Sequence, residues 1–407
     1  MARMRVAIIS SLPSFQSYYS VARCIRDQVM MLERAGHEVT LYVKQGFNPK
    51  FGTLGCISDT VFTPGIQVAD KTAQANEFAK RFGKGELNGY DAIFTHDAVF
   101  LESMKGYRDG IRRIEADVPG HWFHWTHSVP QRKRGVGWNG MDGHTYISLC
   151  QEHVQALCSM YRVTPMQVGV IWNPTDISDM FSDATQSLIR DYELLDADIL
   201  AVLPFSTGRL KQKGIQRAVE YYCELARLGY RVKVVLCNAL ASGPGLQPKT
   251  VHAPIFDKWV ADLPIDVLWM SDIRPQWVHY TPNSVIRELQ LLANLFIYPT
   301  IGEGFSLAIG EALTGGAMMV LPESRVAGMA EIAKDDPDVF LCYWQDGPWQ
   351  KKRFKKADVV AAEIKAFGPG TLDHFVGKNR RRWRLSRDRI WREMYLPVLT
   401  KHCPGAW

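Results

Sequence analysis

The stretch PTIGEGFSLAIGEAL, Pro299 to Leu313, decides the fold. It follows the apolar run Leu295–Tyr298 (LFIY), which reads as a buried strand, and leads into a helical pattern. Between them lie Gly302, Glu303, Gly304, Phe305 and Ser306, a small-residue turn opening a helix. Such a turn leaves backbone N–H groups free of intrahelical partners, and these can hold phosphate at the positive end of the helix dipole. Glu303 falls in the turn. Glu311 comes eight residues later, about two turns along the helix on the face below the loop. A strand, a glycine-bearing turn and a helix form half of a βαβ unit, so a parallel sheet covered by helices is expected.

Working outward, the same alternation recurs. Towards the N-terminus, Ile199–Leu203 and Arg231–Leu236 read as strands flanking a helix over Gln216–Leu228, and Asp266–Trp269 as another strand. On the other side, Met318–Leu321 continues the series. A separate series occupies the first part of the chain. Its strands are expected at Arg5–Ile9, His37–Val43, Asp91–Thr95, Gly120–Trp125 and Thr145–Ser148, with a helix over Ser20–Ala35 stopped by Gly36. At 407 residues the chain has room for two such domains, each with its own core. The expected division is residues 1–180 and 181–385, with an amphipathic helix from about 386 to 407 packing back on the first domain. In open parallel sheets ligands sit outside the carboxyl ends of the strands, so two facing sheets would make an interdomain cleft.

Glu303-Gly-Phe-Ser306 followed by Glu311-Ala-Leu-Thr-Gly315 resembles the signature of the retaining GT-B glycosyltransferases of the "group 1" superfamily, with Ser306 where the family often has Gly. Three more segments fall in the family's order. Gly208-Arg209-Leu210, with Lys211, Lys213 and Gly214, is similar to its GRL…KG loop, one residue short, so either Lys211 or Lys213 is the counterpart of the family lysine. Val168–Asp176 with Phe181 resembles the crossover between domains, and Met329-Ala-Glu331-Ile332 the segment downstream. The resemblance implies a GT-B fold of two Rossmann-like domains. It also implies sugar transfer from a nucleoside diphosphate sugar, most commonly a UDP-sugar, with retention, no obligatory metal and no separate cofactor. Arg209 and Lys213 would neutralise the leaving diphosphate. Gly208, Lys211, Gly304, Phe305, Ser306 and Leu307 would line the donor, Glu311 would bind ribose and Glu303 would face the sugar. His127 matches a family histidine beside the transferred sugar, and His96 at a strand end is a second candidate. The first loop, Ser10–Ser17, lacks the glycine pair common in relatives, which leaves its donor contacts open.

Composition bounds the rest. Hydrophobic residues make up 46% and charged residues 22%, a folded, globular balance. No apolar run reaches the ~20 residues that span a bilayer, and the opening MARMRVAIIS reads as a first strand rather than a signal peptide. Eight scattered cysteines without paired spacing suit reduced thiols in the cytoplasm of a bacterium or a phage-infected host. His121, His124 and His127 alternate across a strand, an arrangement that does not converge on a metal.

From Lys351 onward there are fifteen Lys and Arg against five Asp and Glu, while the rest of the chain is net acidic by four. This points to a phosphate-rich partner. Arg380, Arg381, Arg382 and Arg384, the loop Arg132-Lys133-Arg134, and Trp122, Trp125, Trp138 and Trp383 nearby suit DNA, with a hydroxymethylated pyrimidine as acceptor. The competing acceptor is a glycan or lipid-linked hydroxyl, with the basic surface resting on anionic membrane. A non-catalytic sugar-nucleotide-binding scaffold is the third reading.

Overall fold

The computed structural model describes residues 3–10, 20–43, 59–62, 70–99, 101, 104–127, 139–206, 210–239, 262–300, 307–322, 336–342, 355–368 and 370–404. They form two compact units. The first is Met1–Thr175 with Leu385–Trp407, and the second is Asp176–Arg384.

The first unit is built on a seven-stranded, wholly parallel sheet. Its strands are β1 (Arg5–Ile9), β2 (Glu38–Val43), β3 (Asp59–Phe62), β4 (Ala92–His96), β5 (His121–Trp125), β6 (Thr145–Ser148) and β7 (Val168–Val170), in the order 3-2-1-4-5-6-7. β1, β2 and β4 are mostly apolar and buried, as strands covered on both faces are. On one face α1 (Ser20–Arg34) and the C-terminal helical segment bury Ile25, Val29, Leu32, Ile390, Tyr395 and Leu399 against Ile8, Phe123 and Trp125. On the other, α2 (Lys71–Phe82), α3 (Lys105–Ile114) and α4 (Val154–Tyr161) bury Phe78, Ile111 and Tyr161 against Ile93, Trp122 and Tyr146. The chain leaves this unit at Thr175 and returns at Leu385, and the Thr175 N–H donates to the Leu385 carbonyl at 2.9 Å.

The C-terminal segment departs from the single helix read in the sequence. Arg387–Ile390 and Leu396–His402 are α-helical, but Trp391–Tyr395 between them is a π turn. Pro397 has no N–H to give the carbonyl of Glu393, and the Leu396 N–H instead reaches back five residues to Trp391. Arg387 and Asp27 form an ion pair at 2.9 Å, both side chains almost fully buried, which ties this segment to α1.

The second unit holds two three-stranded parallel sheets. One runs β10 (Asp266–Trp269), β9 (Val232–Ala239), β8 (Ile199–Ser206). The other runs β11 (Leu295–Ile297), β12 (Met318–Pro322), β13 (Val339–Cys342). Side chains join them where β8 meets β11. Buried Asn294 donates its N–H to the Leu200 carbonyl at 3.0 Å and accepts the Leu200 N–H on Oδ1 at 2.9 Å. Its Nδ2 serves the carbonyls of Asp198 and Phe375. The Tyr222 hydroxyl donates to the Leu295 carbonyl and accepts the Ile297 N–H, both at 3.0 Å. Three polar side chains (Gln290 is the third, donating to the Val202 carbonyl) thus satisfy backbone groups that a continuous ladder would have paired. Helix α5 (Asp183–Asp191) and the helix Asn283–Leu292 cover one face. Helix α7 (Ile215–Arg227), preceded by the short α6 (Leu210–Lys213), covers the other together with Ala357–Ala366 and Thr371–Arg384.

Candidate functional site

In the second unit the strand order turns around between β8 and β11, with β9 and β10 on one side and β12 and β13 on the other. The crevice at the carboxyl ends of such strands is where open α/β sheets bind ligands. The two motif segments leave the sheet there. α6 and Gly214 follow β8, and Tyr298–Thr300 follows β11. Gly214 has φ +67°, and a Cβ there would lie 2.2 Å from the Pro299 carbonyl oxygen. Only glycine permits both the left-handed backbone and so close an approach. The buried Lys213 is thereby seated beside β11, its Nζ 5.6 Å from the centre of the Tyr298 ring. The ammonium over the aromatic face makes a cation–π contact.

Leu307 opens the helix Leu307–Thr314 and is largely exposed. Glu311 is its fifth residue, one turn in rather than two, partly exposed and 3.6 Å from Arg287 Nε on the helix Asn283–Leu292. Gly208, Arg209, Glu303, Gly304, Phe305 and Ser306, with the side chain of Lys211, lie outside the described residues, as do Arg132, Lys133, Arg134 and Glu331. What the structure brings together is therefore Lys213, Gly214, Tyr298 and Thr300 at the exit of β8 and β11.

The first unit has its own turning point, between β1 and β4. His96 ends β4 and pairs in register with Trp125, so His127, two residues further on, points to the same face. The rings of Trp125, His96 and His127 stack in sequence, with centroids 5.6 and 5.1 Å apart. His96 Nδ1 lies 2.8 Å from His127 Nε2, and His96 Nε2 lies 3.0 Å from Gln28 Oε1 on α1. Asp97, next in the chain, has φ +54°, which costs free energy for any residue with a side chain. Its Oδ1 accepts the His127 N–H at 2.9 Å. Burial holds the His96 imidazole well below its usual range, with His127 adding to the effect. Burial also lowers His127, opposed by the Asp97 charge, and raises the Asp97 carboxyl. Sequence reading singled out the two histidines but missed Gln28 and Asp97. Asp immediately after a strand-end His, and a Gln on the apolar stripe of α1, were the available signals.

The three histidines of β5 and its exit diverge. His124 takes the opposite face, bonded to Thr95 Oγ1 and to His144 Nδ1, both at 2.8 Å. His121 contacts Thr145 Oγ1 and stacks on His402. Among the described residues no group of three or more His, Cys, Asp or Glu is placed to hold a metal. A cavity of about 590 Å³ lined by Asp91, Glu115, His121, Asp142, His144 and His402 lies at the amino ends of β4 and β5, away from the carboxyl edge where this architecture places chemistry.

The arginine cluster is largely occupied within the second unit. Arg380 Nε donates to Asp198 at 2.8 Å, which with Arg231 holds that carboxyl below the usual range. Arg382 donates to the carbonyls of Leu291 and Leu292, at the negative end of their helix. Arg381 and Arg384 are exposed. No helix among the described residues is long and apolar enough to cross a membrane.

No protein-family model matches the chain, and no curated protein matches it. Solved structures that align with it include HepE from Anabaena in complex with UDP and glucose, at 13% identity and a TM-score of 0.37 over 98% of this chain and 100% of that one. The lipopolysaccharide outer core galactosyltransferase WaaB aligns at 11% identity and 0.37 over 97% and 100%. WaaG, a glycosyltransferase involved in lipopolysaccharide biosynthesis, aligns at 14% and 0.31 over 92% and 94%. Likeness at this level transfers no residue role and no activity.

Proposed function

We propose that the protein is a GT-B glycosyltransferase that moves a sugar from a nucleoside diphosphate sugar, most simply a UDP-sugar, to an acceptor hydroxyl with retention. The observation that carries this reading is the contact of Gly214 with Pro299. It seats Lys213 beside Tyr298, where the chain leaves β11, at the switch point of the second unit. In this reading Lys213, with Arg209, stabilises the departing diphosphate. Backbone amides of Gly304–Ser306 and the side of Leu307 complete the donor site, Glu311 takes the ribose and Glu303 lies by the anomeric carbon. Gly208 gives the first basic loop its turn, and Lys211 yields to Lys213 as the phosphate lysine. His127 contacts the transferred sugar.

For the acceptor, a glycan or lipid-linked hydroxyl now fits better than hydroxymethylated DNA. Arg382 is engaged with helix carbonyls, and Arg380, though its side chain is about half exposed, with Asp198, while Arg381 and Arg384 are exposed. DNA binding through these two and the Arg132–Arg134 loop is the second reading. The test is transfer from a panel of nucleotide sugars to hydroxymethylated DNA and to lipid-linked glycans, with products weighed by mass spectrometry. Glu303→Gln should nearly abolish transfer in a folded protein. Unchanged turnover in that variant, or no nucleotide released from any donor by the wild type, overturns the proposal.

A further inference from the structure

We infer that Gln28 and His96 are positioning residues that hold His127 as the tautomer protonated on Nε2, so that its Nδ1 stands as a hydrogen-bond acceptor for a substrate hydroxyl. The hydrogen-bond relay runs outward from one amide through two imidazole rings. The Gln28 carbonyl oxygen, 3.0 Å from His96 Nε2, can only accept, so that nitrogen carries the proton. His96 is buried and neutral and therefore has one proton to place, which leaves a lone pair on Nδ1. That lone pair faces His127 Nε2 at 2.8 Å, and the contact is a hydrogen bond only if His127 is the donor. His127, also disfavoured as a cation by burial, then has its own lone pair on Nδ1.

Two further features fix the ring in space. Stacking against His96, itself stacked on Trp125, sets the plane of the imidazole. The bond from the His127 N–H to Asp97 Oδ1 sets its backbone, and Asp97 is held at φ +54° to make that bond. Strain maintained by surrounding structure at a strand end is characteristic of sites where placement matters more than stability. A neutral acceptor suits a sugar or acceptor hydroxyl, which has a proton to donate. An imidazolium would offer only donors.

The inference rests on the glycosyltransferase reading for the identity of the hydroxyl, but not for the tautomer. The experiment is a two-bond ¹H–¹⁵N correlation spectrum of the full-length ¹⁵N-labelled protein at neutral pH, with His127 assigned by comparison with His127→Gln. The expected pattern is protonated Nε2 and unprotonated Nδ1 at both His96 and His127. Gln28→Leu should convert His127 to a mixture of tautomers and lower kcat about tenfold with the donor KM little changed. Gln28→Glu, which restores an acceptor to His96, should recover the wild-type pattern. His127 protonated on Nδ1 in the wild type overturns the inference. So does a Gln28→Leu variant, folded by circular dichroism, whose His127 spectrum is unchanged. If the spectra follow expectation while no nucleotide sugar is turned over, the tautomer assignment stands and the glycosyltransferase reading falls.

Discussion

Gly214→Ala is a direct probe of how the second unit assembles the edge proposed above to bind phosphate. Two costs are expected. Holding alanine at φ +67° costs about 1–2 kcal/mol. In addition, the new Cβ would stand 2.2 Å from the Pro299 carbonyl oxygen, where ordinary contact requires about 1 Å more. The two atoms inside 3 Å, the Pro299 carbonyl oxygen and carbon, are backbone, so relief must come from moving the Lys213–Gly214 segment away from β11, at roughly 1–3 kcal/mol of packing strain. Gly229 provides the control, because it has φ +97° in the same unit with nothing within 4 Å of a built Cβ. Gly229→Ala therefore reports the backbone cost alone. Urea denaturation should show Gly214→Ala destabilised by about 1–3 kcal/mol more than Gly229→Ala. Calorimetry with UDP should show at least a tenfold weaker Kd only in Gly214→Ala, because Lys213 moves with the segment. Equal stability losses and equal UDP affinities in the two variants would refute the claim that this contact places Lys213.

Three other perturbations test separate parts of the molecule. Arg387→Ala leaves the buried Asp27 with Arg26 alone, 3.0 Å away, and should cost about 1.5–3 kcal/mol, whereas Asp27→Leu with Arg387→Met should come within about 1–2 kcal/mol of wild type; a double variant as unstable as the single would show that the pair contributes more than mutual neutralisation. Burial lowers His144 to about 3 and His121 to about 4, against an unfolded value near 6.5. The unfolded chain thus binds more protons below pH 6.5, and the stability these rings provide is complete above that pH and is lost as pH falls through their folded values. Urea midpoints between pH 6.5 and 5, above most carboxylate titration, should fall, His144 supplying at most about 1.4 kcal/mol per pH unit; a flat profile would contradict the buried neutral assignment. Arg381→Ala with Arg384→Ala should leave transfer to a lipid-linked glycan unchanged, and a large selective loss on DNA would revive the DNA reading.

Much of the sheet architecture was legible because each strand is a short run of apolar, often β-branched residues bounded by glycine or a polar cluster. Arg5–Ile9, Thr145–Ser148 and Asp266–Trp269 were read to the residue. The π turn was not, since a heptad-like apolar stripe continues through Trp391–Tyr395 and only the missing N–H of Pro397 betrays the change. Nor was the seam at Asn294 and Tyr222, because side chains substituting for ladder bonds leave no periodic trace. The donor motif was visible as a string of residue types, and the closeness of Gly214 to Pro299, 85 positions apart, is a property of the folded sheet. Likewise His96 and His127 meet only through the β4–β5 register. The charge count marked the arginine tail correctly as basic but could not see Asp198 or the carbonyls of Leu291 and Leu292 waiting for it.

The passage of the chain out at Thr175 and back at Leu385 has a consequence for biosynthesis. The seven strands of the first unit have all been synthesised once Val170 is made, yet part of the cover of one sheet face arrives roughly two hundred residues later, with Ile390, Tyr395 and Leu399. Until then, the apolar surface around Phe123 and Trp125 lacks that cover, and the buried Asp27 lacks Arg387. The second unit is continuous in sequence and can complete its core in the interval. The nascent protein should thus expose a sticky half-finished sheet throughout most of its translation, a window in which a holdase chaperone has its largest effect on yield.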